Sequence, residues 1–167
     1  MGFGDAITPE VQAVEFPVLL ATPTLPAPKL NAYPRETVIA EKLEAMVKLG
    51  IANSRMKDFA DLLTLTRSFD FEGDVLARAV RSTFERRGTS LPETTPTALT
   101  AEFSEDTAKR AQWKSFLKRA GITDAEADLA SVINQLSRFL LPLLAAARNG
   151  DEFHKSWLAG KSWRTKP

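Results

Sequence analysis

Proline is unevenly placed along this chain, and that placement limits what each part can fold into. Six of the ten prolines lie in the first 34 residues: Pro9, Pro17, Pro23, Pro26, Pro28 and Pro34. The best regular element in that stretch is the apolar run 14–21. Turn-forming residues bound it and Pro17 interrupts it, so it reads as a strand at a sheet edge. Residues 22–33 read as an extended connection, because a residue before proline avoids the α region. One strand cannot bury a sheet face alone, so this opening must dock onto helices or belong to a sheet whose other strands are missing.

From Pro34 onward the periodicity is helical. Pro34 suits a first helical position and Glu36 a first turn, which predicts a helix over about 34–49, stopped by Gly50. A second helix is predicted over about 54–68 and a third over about 72–87, the latter with Val75, Leu76, Ala79, Val80 and Phe84 as its stripe and Gly88 as its stop. Residues 88–103 hold Pro92, Pro96 and five threonines and read as a loop, with room for a helical turn after Pro96. A fourth helix over about 105–120 would bury Ala108, Ala111, Trp113, Phe116 and Leu117. Thr123 and Glu126 form a capping-box pattern opening a fifth over about 124–148, striped by Ile133, Leu136, Phe139, Leu140, Leu143 and Leu144 and kinked by Pro142. Nothing repeats. The expectation is a mainly α chain, a bundle of about five helices over 34–150 with a short β or extended segment over 1–33 and a basic tail over 151–167.

Composition removes whole classes of chemistry. With 167 residues, 44% hydrophobic and 26% charged, the chain is long enough to bury a core without a staple. It has no cysteine, which excludes disulfides, thiol nucleophiles and zinc–thiolate sites. Its one histidine, His154, leaves no interior Ser/His/Asp triad and no His-rich metal site. No unbroken apolar run reaches a membrane span, and no signal-peptide pattern opens the chain, so a cytoplasmic location is expected. Twenty-two basic against 21 acidic residues create no global field for nucleic acid. Any chemistry falls to carboxylates, lysine and arginine.

Two helices break their own apolar pattern with charge. On the first, Val38, Ile39, Leu43, Met46 and Leu49 share a side, with Glu41, Glu44 and Lys48 opposite. Lys42 is i+4 from Val38, i+3 from Ile39 and i−4 from Met46, so it projects from the middle of the core-facing stripe. On the second, Met56, Phe59, Leu62 and Leu63 form the apolar face, with Leu65 at its margin. Arg55 and Asp58 point to that face or its edge, Lys57 and Thr64 point outward, and Asp61 lies between. The short loop between the helices makes them neighbours and Lys42 and Asp58 partners. A buried ammonium needs a carboxylate, a ligand phosphate or a reach to water. Either Lys42 and Asp58 form an ion pair that fixes helix register while Arg55 snorkels, or Lys42 and Arg55 meet phosphate oxygens and Asp58 orients the lysine.

The stretch 33–46, Tyr-Pro-Arg-Glu-Thr-Val-Ile-Ala-Glu-Lys-Leu-Glu-Ala-Met, followed by 53–62, Asn-Ser-Arg-Met-Lys-Asp-Phe-Ala-Asp-Leu, resembles the AbiEii/AbiGii toxin family of nucleotidyltransferases, whose pattern is an AEKL-type helix, a short turn and a basic-Asp-x-x-Asp-Leu helix. Residues 2–9 and 83–88 are also similar to one branch of it, and the resemblance covers most of 1–150. It implies a polymerase-β-like nucleotidyltransferase, often the toxin of a toxin–antitoxin pair, using Mg²⁺ and a nucleoside triphosphate and in some members acting on tRNA ends. By matching position, Lys42 would contact triphosphate, Asp58 would be the site's later aspartate, Arg55 would be a nucleotide-binding basic residue and Asp61 would be structural.

The chain departs from that family at its start. The family opens with a Gly-Gly or Gly-Ser strand-to-helix turn and an Asp-x-Asp pair on the next strand, which hold metal and triphosphate. Neither occurs here, and Asp70-Phe71-Glu72 lies between helices. Phosphoryl transfer depends on positioning and on metal neutralisation of charge, which Lys42 alone does not supply. Asp5 reads as a loop-capping residue. The expectation is therefore the C-terminal portion of an AbiEii-like enzyme whose residues 1–33 are a remnant of an incomplete sheet. It would be inactive as this chain alone, with no metal ligands and no tightly bound cofactor. Antitoxin binding, self-association through the exposed sheet edge and an RNA acceptor are the partners implied; a membrane is not. The other reading is a non-catalytic helical module that binds a partner such as an antitoxin. Elsewhere, Lys155, Lys161, Arg164 and Lys166 with Trp157 and Trp163 mix base-stacking and phosphate-binding residues but read as a solvated tail with one tryptophan docked. Arg78, Arg81, Arg86 and Arg87 read as a solvated face, His154 as a surface residue and Trp113 as core.

Overall fold

The computed structural model describes residues 12–15, 29–122 and 128–165. Asp5, Lys166, the 2–9 resemblance, the strand expected beyond Glu15 and the Thr123–Glu126 capping box lie outside the described residues. Six α-helices follow one another: α1 (Arg35–Leu49), α2 (Met56–Ser68), α3 (Gly73–Arg87), α4 (Ala101–Glu105), α5 (Thr107–Ala120) and α6 (Leu129–Asn149). The architecture is mainly α with a small β part, as the periodicity predicts. The extra helix is α4, which with the 3₁₀ turn Thr97–Leu99 occupies the second half of the predicted 88–103 loop. Pro34 caps α1 rather than opening it. Gly50 adopts φ 49°, a left-handed conformation that glycine takes without a Cβ penalty, and there the chain leaves α1 for a 3₁₀ turn, Gly50–Ala52. The N-terminal hairpin pairs β1 (Gln12–Glu15) antiparallel with β2 (Lys29–Ala32), Gln12 opposite Ala32. β2 thus falls in the segment read as an extended connection.

The centre of the protein is α6. Its stripe of Leu136, Phe139, Leu140 and Leu143 is fully buried and meets α2, α3 and α4. By length and composition α6 could cross a membrane, with a mean hydropathy of 1.4, but half of that window is buried in protein, as befits a core helix. Its N-cap is Asp128, whose carboxylate accepts from the N–H groups of Ala130 and Ser131. Pro142 sits inside the helix.

Several burial expectations fail, each because a neighbour covers an unexpected side. α1 packs chiefly on α3, so Glu44, read as outward, is buried: Arg87 Nη1 donates to its Oε2 at 2.9 Å and the Thr89 hydroxyl to its Oε1. Arg86 and Arg87 pair with Glu41 across the same seam and are not a solvated face. Leu49 ends the helix beyond that cover and is exposed. α5 lies at the periphery, chiefly against α2 and α4. Of its expected core residues Trp113 is buried, Phe116 and Leu117 half-buried, and Ala108 and Ala111 exposed.

The C-terminal segment is not a solvated tail. β3 (Phe71–Glu72), β4 (Lys155–Trp157) and β5 (Trp163–Thr165) form an antiparallel sheet, with Phe71 opposite Trp157 and Trp157 opposite Trp163. Both indoles dock. Trp157 Nε1 donates to the Thr66 carbonyl at 2.8 Å and Trp163 Nε1 to the Phe139 carbonyl at 2.9 Å, and the Trp163 ring lies parallel to Phe139 with centroids 5.3 Å apart. Trp157 and Trp163 are therefore structural, because an indole can bury its ring only with its N–H satisfied.

Candidate functional site

The charged residues that break the apolar pattern converge. α1 presents Lys42 towards α2, whose successive turns present Asp58 and Asp61 three residues apart on one face. Lys42 Nζ donates to Asp58 Oδ1 at 2.7 Å and to Asp61 Oδ2 at 2.9 Å. Arg55 Nε lies 2.8 Å from Asp58 Oδ2, close enough for an ion pair but poorly aligned for a hydrogen bond. Lys57 Nζ holds both oxygens of Asp61, at 2.9 and 2.7 Å. The five side chains form an alternating chain: Arg55, Asp58, Lys42, Asp61, Lys57.

Exposure is least at Asp58 and rises from there towards both ends of the chain. Asp58 is 5% exposed and Lys42 16%, against 31% for Asp61, 58% for Arg55 and 74% for Lys57. Burial alone would lower the Lys42 pKa, but the hydrogen bonds and charges of Asp58 and Asp61 outweigh it and hold it above the ordinary 10.5. Burial would likewise raise Asp61, and Lys57 and Lys42 together bring it below 3.8. Lys42 is therefore a fixed cation at neutral pH, unsuited to act as a base. An ammonium has three donors, and two are spent on carboxylates. The third, on a side chain that still reaches solvent, is what Lys42 has to offer an anion.

The structure brings Lys42, Asp58 and Arg55 together, and it adds Asp61, which the wheel left between faces. Its signal was the i, i+3 spacing from Asp58, which puts both carboxylates within reach of one ammonium. It also buries Lys109, which no pattern marked: its Nζ donates to the Asn53 carbonyl at 3.0 Å, tying α5 to the turn before α2. His154 is exposed, between Asp74 at 3.1 Å and Glu152 at 2.8 Å. Among the described residues, clefts open at three places named here. One of 490 Å³ lies between the start of α2 and α5 and is lined by Arg55. One of 700 Å³ lies between α4, α5 and the start of α6. One of 170 Å³ lies beside the 92–96 loop. Lys42 lines none of the three.

The Mg²⁺ implied by the resemblance does not fit the described residues. Among them no group of three or more His, Cys, Asp or Glu is placed to hold a metal ion. Asp58 and Asp61 already face Lys42, Arg55 and Lys57, and a divalent cation among three cations would be repelled. A triphosphate fits better, since Lys42 keeps one donor and Arg55 its terminal amino groups.

Comparison with known proteins agrees with the motif. No curated protein and no solved structure matches the chain. The family model described as nucleotidyl transferase AbiEii toxin, type IV TA system, matches residues 1–135, a span that holds the whole charged cluster and α1 to α5. The chain belongs to the AbiEii nucleotidyltransferase toxin family.

Proposed function

We propose that this chain supplies the triphosphate-contacting side of a nucleotidyltransferase site that passes nucleotides from a nucleoside triphosphate to an RNA acceptor in the cytoplasm. Lys42 and Arg55 meet phosphate oxygens, Asp58 holds the Lys42 ammonium in place, and Asp61 is the more replaceable of its two partners. The carrying observation is the ammonium fixed by two carboxylates with one donor to spare, on the helix pair that bears the family's motif. The chain is inactive by itself, because the described residues offer no metal-ligand set and the sequence has neither a Gly-Ser turn nor a strand-borne Asp-x-Asp pair. Incubating the 167-residue protein with labelled nucleoside triphosphate, Mg²⁺ and total RNA, beside Lys42→Ala, tests this. No labelling is expected from either, and activity is expected on adding a companion polypeptide that carries the two missing motifs. Labelling by the chain alone that vanishes with Lys42→Ala would overturn the claim of inactivity.

One observation favours a second reading, a non-catalytic module that binds an antitoxin or another copy of itself. Lys42 lines none of the three clefts described above, as a purely register-fixing clamp would have it. Under that reading Lys42→Ala lowers stability and leaves triphosphate binding unchanged. Under the first it weakens both.

A further inference from the structure

In a chain of net charge +1, residues 107–120 carry Lys109, Arg110, Lys114, Lys118 and Arg119 and no carboxylate. On one side of α5 this charge is balanced: the larger cleft sets Glu105 and Asp128 beside Arg110 and Lys114. On the other side no carboxylate lines the surface; Arg55 and Lys57 are held from behind by Asp58 and Asp61, and Arg119 is not. The 490 Å³ cleft between α5 and the start of α2 is walled by Arg55, Lys57 and Arg119, with Gln112 and Ser115 on the α5 wall, half-buried Phe116 among them, and no acidic residue in its lining. Arg55 and Lys57 sit at the N-terminal end of α2, where the helix dipole is positive and cations are disfavoured. Arg119 has no ion-pair partner among the described residues. Buried Lys109 adds a charge behind the same wall, held by a carbonyl and not by a carboxylate. A positive concavity with an aromatic ring in it is the combination that takes up single strands, with phosphates on cations and a base on the ring. An acidic peptide would use the cations and leave Phe116 idle.

We propose that the cleft between α2 and α5 binds single-stranded nucleic acid, with Arg119 on a phosphate and Phe116 stacked on a base. The inference extends the transferase reading and rests on it for the strand's purpose. Arg55 belongs both to this cleft and to the Lys42 cluster, so the strand would run up to the proposed triphosphate contact.

The test is fluorescence anisotropy of a labelled 12-nucleotide oligouridylate with the full chain, without nucleoside triphosphate, across a salt series. Arg119→Gln is expected to weaken binding and to flatten the slope of log affinity against log salt by about 0.7, the share of one phosphate contact on a single strand. Phe116→Leu, which keeps the apolar bulk, is expected to cost at least about fivefold with the slope unchanged. Arg78→Gln, on the exposed face of α3, is expected to bind as the parent does. Because the assay contains no nucleoside triphosphate, failure here is separate from failure of the triphosphate reading. The deoxy version of the strand distinguishes two sources of the same chemistry: equal binding supports backbone-and-base recognition, and a preference for RNA supports it with a 2′-hydroxyl contact added. The inference is overturned if the parent does not bind at low salt, if Arg78→Gln weakens binding as much as Arg119→Gln, or if Phe116→Leu changes nothing while polyglutamate displaces the strand.

Discussion

The alternating charge chain makes an asymmetric prediction about which partner carries the burden of burial. In Lys42→Met, Asp58 is left 5% exposed, with its Oδ1 stripped of its donor and its Oδ2 facing only the poorly aligned, largely exposed Arg55. Breaking a fully buried pair costs about 3–5 kcal/mol, and the remaining Arg55 trims this to about 2–3 kcal/mol. In Asp58→Asn the shape is kept, the new amide oxygen still accepts from Lys42 Nζ, and Asp61 at 2.9 Å still neutralises it. That substitution should cost only about 1 kcal/mol, the worth of an ordinary hydrogen bond. The double variant buries no lone charge, so it should be no less stable than Lys42→Met alone, giving a coupling of about 1 kcal/mol or more. Urea unfolding of the four proteins, followed by tryptophan fluorescence, measures all three values. If Asp58→Asn costs more than Lys42→Met, the lysine and not the aspartate is the group that cannot tolerate isolation, and the reasoning from burial is wrong.

The same cluster should respond to acid. Asp61 has its folded pKa below its unfolded 3.8, so its contribution is present above pH 3.8 and lost as pH falls through the lower folded value; Asp61→Asn should flatten the low-pH limb of a melting-temperature profile. Removing Asp61's charge also leaves the Lys42 ammonium less neutralised, so under the transferase reading Asp61→Asn should bind nucleoside triphosphate more tightly in calorimetry, and weaker binding would contradict that reading. His154 has the opposite sign. Asp74 and then Glu152 raise its pKa above 6.5, so its contribution is whole below pH 6.5 and lost as pH rises through the folded value; His154→Gln should lower the melting temperature at pH 5.5 and leave it unchanged at pH 9. At Gly73 a Cβ would collide with the carbonyl oxygens of Phe153 and Lys155, so Gly73→Ala should cost about 1–3 kcal/mol by urea unfolding and perturb the fluorescence of Trp157.

Most of the helical layout was legible because periodicity and punctuation agree along 34–150. Gly50 and Gly88, readable as stops, each follow a helix with positive φ, and Gly121 and Gly150 end α5 and α6 in the same way. What could not be read was which other face a helix would meet. A wheel assigns α1 one buried side, and Glu44 was placed opposite because nothing in its own helix shows that Arg87 and Thr89 wait 43 and 45 residues later. The C-terminal strands were missed for a similar reason. Three-residue strands hold no periodicity, and Trp157 and Trp163 reach burial through carbonyls of Thr66 and Phe139, which offer no side-chain signal.

The Lys42 cluster was legible for the opposite reason: it violates a pattern, and a violation within a core stripe demands a partner. The wheel found Asp58 but not Asp61, since one carboxylate meets the minimum that burial requires. The second carboxylate changes what the site can do. A register-fixing pair is complete with one cation and one anion. Here three cations share two anions, and the surplus positive charge is left on residues that line a cleft or reach solvent. A cluster built only to be buried would gain by ending neutral, whereas one with an extra cation and a spare ammonium donor lowers its energy further when an anion arrives. That imbalance favours the phosphate-binding reading over the clamp.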